Sequence, residues 1–382
     1  MNMSIRKYGG SMKENILVVF GGKSVEHDIS IITALQVMRF LDKDKNVIPL
    51  YIQRNGKWCV GENFDKVDTF IDFDKKAKVK REVFLKIGKP YLYIKQPIGF
   101  KKTKIDCVLM CLHGGAGENG EVASVFDMCD IPFTSSSSTS SGVTMDKIFA
   151  KQILESEGIR NVPFVYFSKK EFENSESKVL SKIKKFGFPV IVKPANLGSS
   201  VAIEVARTKE EFLEATKVAL EFDDRILVER FLEGAEEYNC AVFEFDKNVK
   251  TSKVVKVDKG EIFSFDEKYL QKEEQKSQKT SKNIENEIKK LSKQIYKLFD
   301  LKGVVRIDFL LYEEKLFVNE VNSIPGSLSI NMFSGISKRE FVEKLIENGK
   351  QKSEEKKRLT YHYDSKALQI FKDEIGFAKS RK

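Results

Sequence analysis

Near the carboxyl end of this 382-residue chain, Arg306-Ile-Asp308 is followed a short turn later by Glu320-Val-Asn322-Ser-Ile-Pro-Gly326. The flanking segments GVVRIDFLLY and KLFVNEVN are mostly apolar and β-branched and sit either side of Glu313-Glu314, the pattern of an antiparallel hairpin. Side chains alternate faces along a strand, so Arg306 and Asp308 share one face, as do Glu320 and Asn322 on the partner strand. Counting outward from the turn sets Asp308 opposite Asn319, or within one residue of Glu320. Two carboxylates held that close repel unless a positive charge pairs them. Hard oxygen ligands at this density suit Mg²⁺ or Mn²⁺, bound through one or two carboxylates together with substrate phosphates. The plain alternative is a surface hairpin that leaves these groups in water and Pro325-Gly326 as an ordinary turn.

Other segments carry groups of matching chemistry. Phe188-Pro-Val-Ile-Val-Lys193-Pro194 followed by Ala-Asn-Leu-Gly198-Ser199-Ser200 is a strand, a basic residue and a small-residue loop. Backbone N–H groups of such a loop can wrap phosphate oxygens, with Lys193 as a fixed charge; a hairpin with a lysine at its end fits the same residues. Glu26 and His113 each follow glycine-rich turns at the ends of expected strands, where open α/β sheets bind ligands. Singly they are a helix-dipole carboxylate and a turn histidine; together they point to a pocket for something small and charged. Ile226–Leu232, with Glu229, Arg230 and Phe231, is a strand that either offers backbone groups to an adenine edge or is plain sheet. Tyr269, beside Lys268 in a polar stretch, suits a lid or a hydrogen-bond donor. Two glycine motifs mislead. Gly22-Lys23-Ser24 lacks the upstream glycine of a phosphate-binding loop, since Leu17 stands there, and Gly115–Gly120 has GxGxxG spacing without the rest of a dinucleotide fingerprint.

These residues need a scaffold, and the length implies two or three domains. Strands at 15–20, 47–53 and 106–112 with helices at 26–41 and 121–129 form a βαβ rhythm, hence an α/β domain with a parallel sheet. Residues 62–104 are charged and less regular, an insertion or mobile arm. The serine run 135–141 is a flexible linker or an inter-domain crossing, ahead of a helix at 145–157. A second block follows: helix 171–186, strand 188–193, strand 201–205, helix 209–221 and strand 225–230. The third opens with 237–245, includes a charged loop at 264–282 and a helix at 283–299, and ends in the hairpin. Residues 1–11 are a patternless leader, with Met12 as an alternative start, and the chain turns Lys/Glu-rich from 349.

Composition limits the function classes. The chain has 66 Lys+Arg against 56 Asp+Glu, a net charge of +10, but the lysines are scattered and no compact basic motif interleaved with aromatics appears. That argues for a solvated surface and against a nucleic-acid partner. Its five cysteines form no CxxC, and Cys107 and Cys111 lie in an apolar run, so a reduced, cytoplasmic protein is expected. No apolar stretch reaches membrane-spanning length and the N-terminus has no signal-peptide core.

Taken in order, GGKSVEHDIS, LHGGAGENG, TMDK, VIVKPANLGSS, LVERFLEGAEEYNCAV, FDEKYL, RIDF and NEVNSIPGS resemble the D-alanine–D-alanine ligases of the ATP-grasp superfamily, from about residue 15 to 349. The resemblance implies an α/β and α+β fold of three domains: an N-terminal α/β domain at 12–134, then ATP-grasp subdomains at 135–232 and 233–349 that sandwich ATP, with a basic tail at 350–382. It implies that Lys147, Lys193, Gly198 and Ser200 contact phosphates, that Glu229, Arg230, Phe231 and Leu232 hold adenine, and that Glu237 binds ribose. Asp308, Glu320 and Asn322 match the ligands of Mg²⁺ or Mn²⁺, two ions in all. Glu26, Ser199 and Tyr269 match a set that orients the first D-alanine, Arg306 and Gly326 match the oxyanion-stabilising groups, and His113 and Lys268 belong to the substrate site. Where many relatives carry Ser-Leu against the second substrate's carboxylate, this chain has Asn331-Met332, which leaves D-serine, D-lactate or another amino acid open as acceptor. Peptidoglycan precursor synthesis is the implied role, and homodimers are common in the family.

Overall fold

A computed structural model describes residues 13–77, 80–198, 201–257 and 281–379. The expected leader 1–11 and most of the charged loop at 264–282 lie outside them.

The first sheet has strands β1 (Asn15–Gly21), β2 (Asn46–Ile52), β3 (Trp58–Gly61), β4 (Lys80–Lys86), β5 (Lys89–Lys95), β6 (Phe100–Lys104) and β7 (Cys107–Met110), in the order β6-β5-β4-β3-β2-β1-β7. Central β1 pairs in parallel with β2 and β7, and Ile16 to Phe20 are 0% exposed. An unbroken apolar run is what a strand covered on both faces requires. Residues 62–104 differ from the insertion or arm expected of them. Two short helices lead into an antiparallel meander, β4–β6, which extends the sheet. Exposure alternates along β4 while its residue types, Lys-Arg-Glu-Val-Phe-Leu-Lys, do not, and β6 is mostly exposed, so the sequence hides the element.

The second sheet is wholly antiparallel: β8 (Phe164–Ser168), β9 (Val190–Pro194), β10 (Glu204–Ala206) and β11 (Arg225–Arg230), in the order β10-β9-β11-β8. Helices Glu176–Ile183 and Lys209–Ala219 cover one face, around Phe167, Val192, Phe212 and Val228. The single helix expected at 171–186 is broken at Ser175, whose hydroxyl caps the second piece by accepting from Lys178 N.

The third sheet comprises β12 (Glu236–Phe245), β13 (Asn248–Thr251), β14 (Val255–Val257), β15 (Val305–Tyr312) and β16 (Lys315–Asn322). Its order is β13-β12-β15-β16, with β14 also against β12. Helix Lys282–Leu298 lays Ile288, Ile295 and Tyr296 over Tyr238, Cys240, Ile307 and Phe309. The opposite face, that of Asp308, is left for the site.

Two connections correct the sequence reading. The serine run is not a flexible linker: Ser138–Met145 is helical, and Ser135, Ser136, Ser140 and Ser141 are buried. Ser136 Oγ donates to Lys302 O and accepts from Lys302 N, and Ser140 Oγ donates to Asp300 O, so the hydroxyls tie the run to backbone groups at 300–302. The closing helix Lys338–Lys357 packs Phe341, Val342, Leu345 and Ile346 into the first core, with Ile324, Leu328 and Ile330. The end of the expected third block is therefore built into the beginning of the chain. Beyond it, helix Ala367–Lys379 stands apart, and residues 359–374 are exposed.

Candidate active site

The hairpin pairs Arg306 with Asn322 and Asp308 with Glu320, but Phe309 with Val318, so Asn319 is an extra residue on β16. This β-bulge decides the site. In a regular strand Glu320 and Asn322 would share the face of Val318, which is buried under the helix. The bulge reverses the alternation, turns both onto the face of Asp308, and leaves Asn319 on the cleft as well.

Asp308, 2% exposed, is held from three sides. Arg306 Nε and Nη2 donate to its two oxygens at 2.7 and 2.8 Å, a bidentate pair. Asn322 Nδ2 donates to Oδ2 at 3.0 Å. Asn239, opposite on β12, donates to Oδ1 at 3.1 Å when its carboxamide is turned so that the nitrogen faces acceptors. Glu237 shares that face by register, opposite Leu310. A divalent cation fits this donor set: two carboxylates and the Asn322 amide oxygen lie on one face. Among the described residues no group of three or more His, Cys, Asp or Glu gathers, so the remaining ligands would be phosphate oxygens and water, as is usual for Mg²⁺.

Across the cleft stand three lysines. Helix Lys147–Ser156 starts at Asp146, whose Oδ1 accepts from Ile148 N and Phe149 N. Four-residue spacing puts Lys147 and Lys151 on the same face. Lys147 Nζ donates to Leu197 O at 2.6 Å and lies 3.9 Å from Glu320 Oε2. Lys151 Nζ is 2.5 Å from Glu229 Oε1, while Lys193 bonds Glu229 Oε2 and donates to Asn319 Oδ1 at 3.5 Å. Glu229 is 1% exposed; burial works against its charge, but the two lysines outweigh burial and hold its carboxyl below the usual range.

At the end of the cleft, the buried Glu26 carboxylate fits between two glycines. A Cβ on Gly198 would lie 2.8 Å from Glu26 Oε2, and one on Gly114, at φ +62°, would also collide with it. Glu118 faces the same space; its oxygens accept from Gly114 N at 3.1 Å and Ile324 N at 3.4 Å. Burial, and then the charge of Glu26, push its carboxyl up to about 7. His113 sits behind this wall. A backbone carbonyl only accepts, so its Nδ1 donates to Ile324 O at 2.8 Å. Its Nε2 then accepts from Thr33 Oγ1 at 2.7 Å, and that hydroxyl accepts from Ser327 N at 3.0 Å. Burial drives the ring's pKa down to about 4, so it is neutral. The chain of bonds anchors the turn Gly326–Met332, where Ser327, Leu328 and Ser329 all have left-handed φ of 50°, 49° and 46°. Such backbone costs about 1–2 kcal/mol per residue and persists only where its surroundings fix it.

The structure thus gathers Glu26, Lys147, Lys193, Gly198, Glu229, Arg306, Asp308, Glu320 and Asn322 around one cleft. The N–H groups of Arg230 and Phe231 are taken by Pro163 O and Pro189 O, so other groups of that stretch must meet any adenine edge. The Leu232 side chain is core, with Val162 and Ala235. Asn331 lies at the surface, and Met332 packs against the first core. Ser199, Ser200, Lys268 and Tyr269 lie outside the described residues. Sequence reasoning passed over Lys151, Glu118, Thr33 and Asn239. Only Lys151 carried a signal, one helical turn beyond Lys147.

Two family models cover most of the chain: D-ala D-ala ligase N-terminus at residues 15–136 and D-ala D-ala ligase C-terminus at 153–347. The chain belongs to the D-alanine–D-alanine ligase family. A relative of that name from Thermosipho melanesiensis is 37% identical over 353 residues, 90% of this chain and 95% of the relative. Among solved structures, a D-alanine–D-alanine ligase from Helicobacter pylori aligns with TM-score 0.72 at 27% identity, over 88% of this chain and 98% of that one. The VanG D-Ala:D-Ser ligase from Enterococcus faecalis aligns with TM-score 0.76 at 25% identity, over 88% and 99%.

Proposed function

We propose that this chain joins two D-alanines to D-alanyl-D-alanine at the expense of ATP, through an acyl phosphate, for peptidoglycan precursors. A carboxylate is a poor electrophile. Its oxygen first takes the γ-phosphoryl group from ATP, releasing ADP; the amine of a second D-alanine then attacks the acyl carbon, phosphate leaves and the amine loses a proton. Phosphoryl transfer asks for in-line positioning and charge neutralisation more than for covalent help. Mg²⁺ or Mn²⁺ held by Asp308, Glu320 and Asn322 would neutralise phosphate charge when bound. Lys147 and Lys193 face the same charge from the other wall, and Glu237 suits the ribose hydroxyls. Glu26 offers a buried carboxylate to the ammonium of the first D-alanine, with Ser199, Lys268 and Tyr269 as further groups of that site. Arg306 and the Gly326 backbone act on the oxyanion as charge develops there. His113, neutral and fully bonded, acts by fixing the turn that carries Gly326.

The observation that carries this reading is the cleft itself: lysines on one wall, the Asp308–Glu320–Asn322 face on the other, and Glu26 at its end. Phosphate release with product mass across D-amino acids tests it. ADP, phosphate and D-alanyl-D-alanine are expected with D-alanine present, and loss of turnover in Glu320→Ala with the fold retained. No turnover by the wild type with D-alanine, or full activity in E320A, overturns it. Turnover only with D-serine, D-lactate or another acceptor would support the second reading, which Asn331-Met332 motivates. A cytoplasmic location and a homodimer are the proposed setting of this activity; no described helix is long and apolar enough to cross a membrane.

A further inference from the structure

Two lysines share one carboxylate beneath the cleft. Lys151 and Lys193 each form an ion pair with a separate oxygen of Glu229, and all three side chains are buried, Lys151 to 2% exposure. A buried pair of one lysine and one carboxylate is neutral. Here the count is two positive charges against one negative, so a net positive charge stays out of water, which is costly unless an anion comes to meet it. Burial pulls the Lys151 ammonium below its usual range and the Glu229 charge opposes that, while the two lysines together hold the Glu229 carboxyl below its own. Lys193 reaches from this group to Asn319, on the bulge at the cleft's edge.

We propose that Lys151 is a positioning residue for the nucleotide phosphates: by neutralising Glu229 from behind, it leaves the charge of Lys193 available to the anion in the cleft. Without Lys151, Glu229 and Lys193 would cancel one another. The inference rests on the ATP-dependent reading above and adds to it the charge balance that makes Lys193 an anion site.

Counting charges designs the test. Wild type carries a net +1 in this group, Lys151→Met and Lys151→Gln carry none, and Lys151→Arg, which keeps the charge, carries +1 again. Binding of ATP and of adenosine to the full chain is measured by displacement of a fluorescent nucleotide without D-alanine, alongside KM and kcat. For K151M, ATP affinity is expected to weaken at least about tenfold, with KM for ATP rising more than kcat falls and adenosine binding little changed, since one charge-assisted contact is lost. In Lys151→Arg ATP affinity should stay within about threefold of wild type. Unchanged ATP affinity in K151M, or equal weakening for adenosine, overturns the proposal. Should K151M melt below the assay temperature, Lys151→Gln, neutral but polar, carries the comparison: tenfold weaker ATP binding supports the proposal, and near-wild-type affinity refutes it. A wild type that binds no ATP would instead remove the functional reading, and this inference with it.

Discussion

At the scale of single residues, the pocket sets two carboxylates against each other. Glu118 is almost fully buried beside Glu26, and its carboxyl is raised to about 7 from an ordinary 4.5. The folded protein therefore holds this proton more tightly than the unfolded chain does. As pH rises from 4.5 towards 7, the unfolded state gives up the proton first, so stability is full below that window, falls across it and levels off above. The shift corresponds to on the order of 3 kcal/mol. Glu118→Gln removes the titration, although it gives up one of the two N–H bonds that the carboxylate accepts. Urea unfolding of both proteins at pH 5 and pH 8 should show the difference moving in favour of the variant at the higher pH; a difference that does not depend on pH would place the strain elsewhere. Little of this was legible in the sequence. Glu118 sits inside a glycine motif whose spacing points to a different chemistry, and its burial depends on Ile324, far along the chain. Asp308, Glu320 and Asn322 were legible as polar residues of one hairpin, with Glu320 and Asn322 on one face by alternation, whereas the bulge that turns that face towards Asp308 was not.

At the scale of elements, local pattern located most strands and helices, and failed where an element's reason is not local. The meander β4–β6 escaped because a strand with one wet face and many lysines resembles irregular chain. The serine run escaped because the partners of its hydroxyls are backbone groups at 300–302. The bulge at Asn319 is a third case: alternation alone leaves the facing residue undecided, and only pairing with β15 resolves it. The same logic governs the turn at Gly326–Met332. Its left-handed residues are fixed through the Thr33 hydroxyl, which joins helix His27–Met38 to His113 and to Ser327 N. Thr33→Val keeps the shape and removes the hydroxyl, leaving a ring nitrogen and an N–H buried without partners, a loss of about 2 kcal/mol. Thermal melting should show that loss, and kcat should fall with it because Gly326 is no longer held. Thr33→Ser, which retains the hydroxyl, should restore most of both. A valine variant with wild-type kcat would show that this tie does not position the turn.

At the scale of the whole molecule, the chain ends its folded part where it began. Helix Lys338–Lys357 lies on the first sheet, so the turn carrying Gly326 is held between the first core and the third sheet. Gly349 marks how close that approach is. It lies inside the helix, where exchanging glycine for alanine ordinarily stabilises by roughly 0.5–1 kcal/mol. Here a Cβ would stand 2.7 Å from Phe133 O and 3.0 Å from Phe133 C. Those atoms are backbone in the segment that enters the buried serine run, so they cannot swing aside as a side chain would. Steric cost outweighs propensity, and Gly349→Ala should destabilise by about 1–3 kcal/mol. Removing the chain from residue 359 onward, where the described residues are exposed through 374, should leave both the melting temperature and turnover unchanged. Melting curves for the two variants separate the ideas: a stabilised G349A would mean that the helix stands off the first sheet, and the close fit between the two ends of the chain would not be what holds the site together.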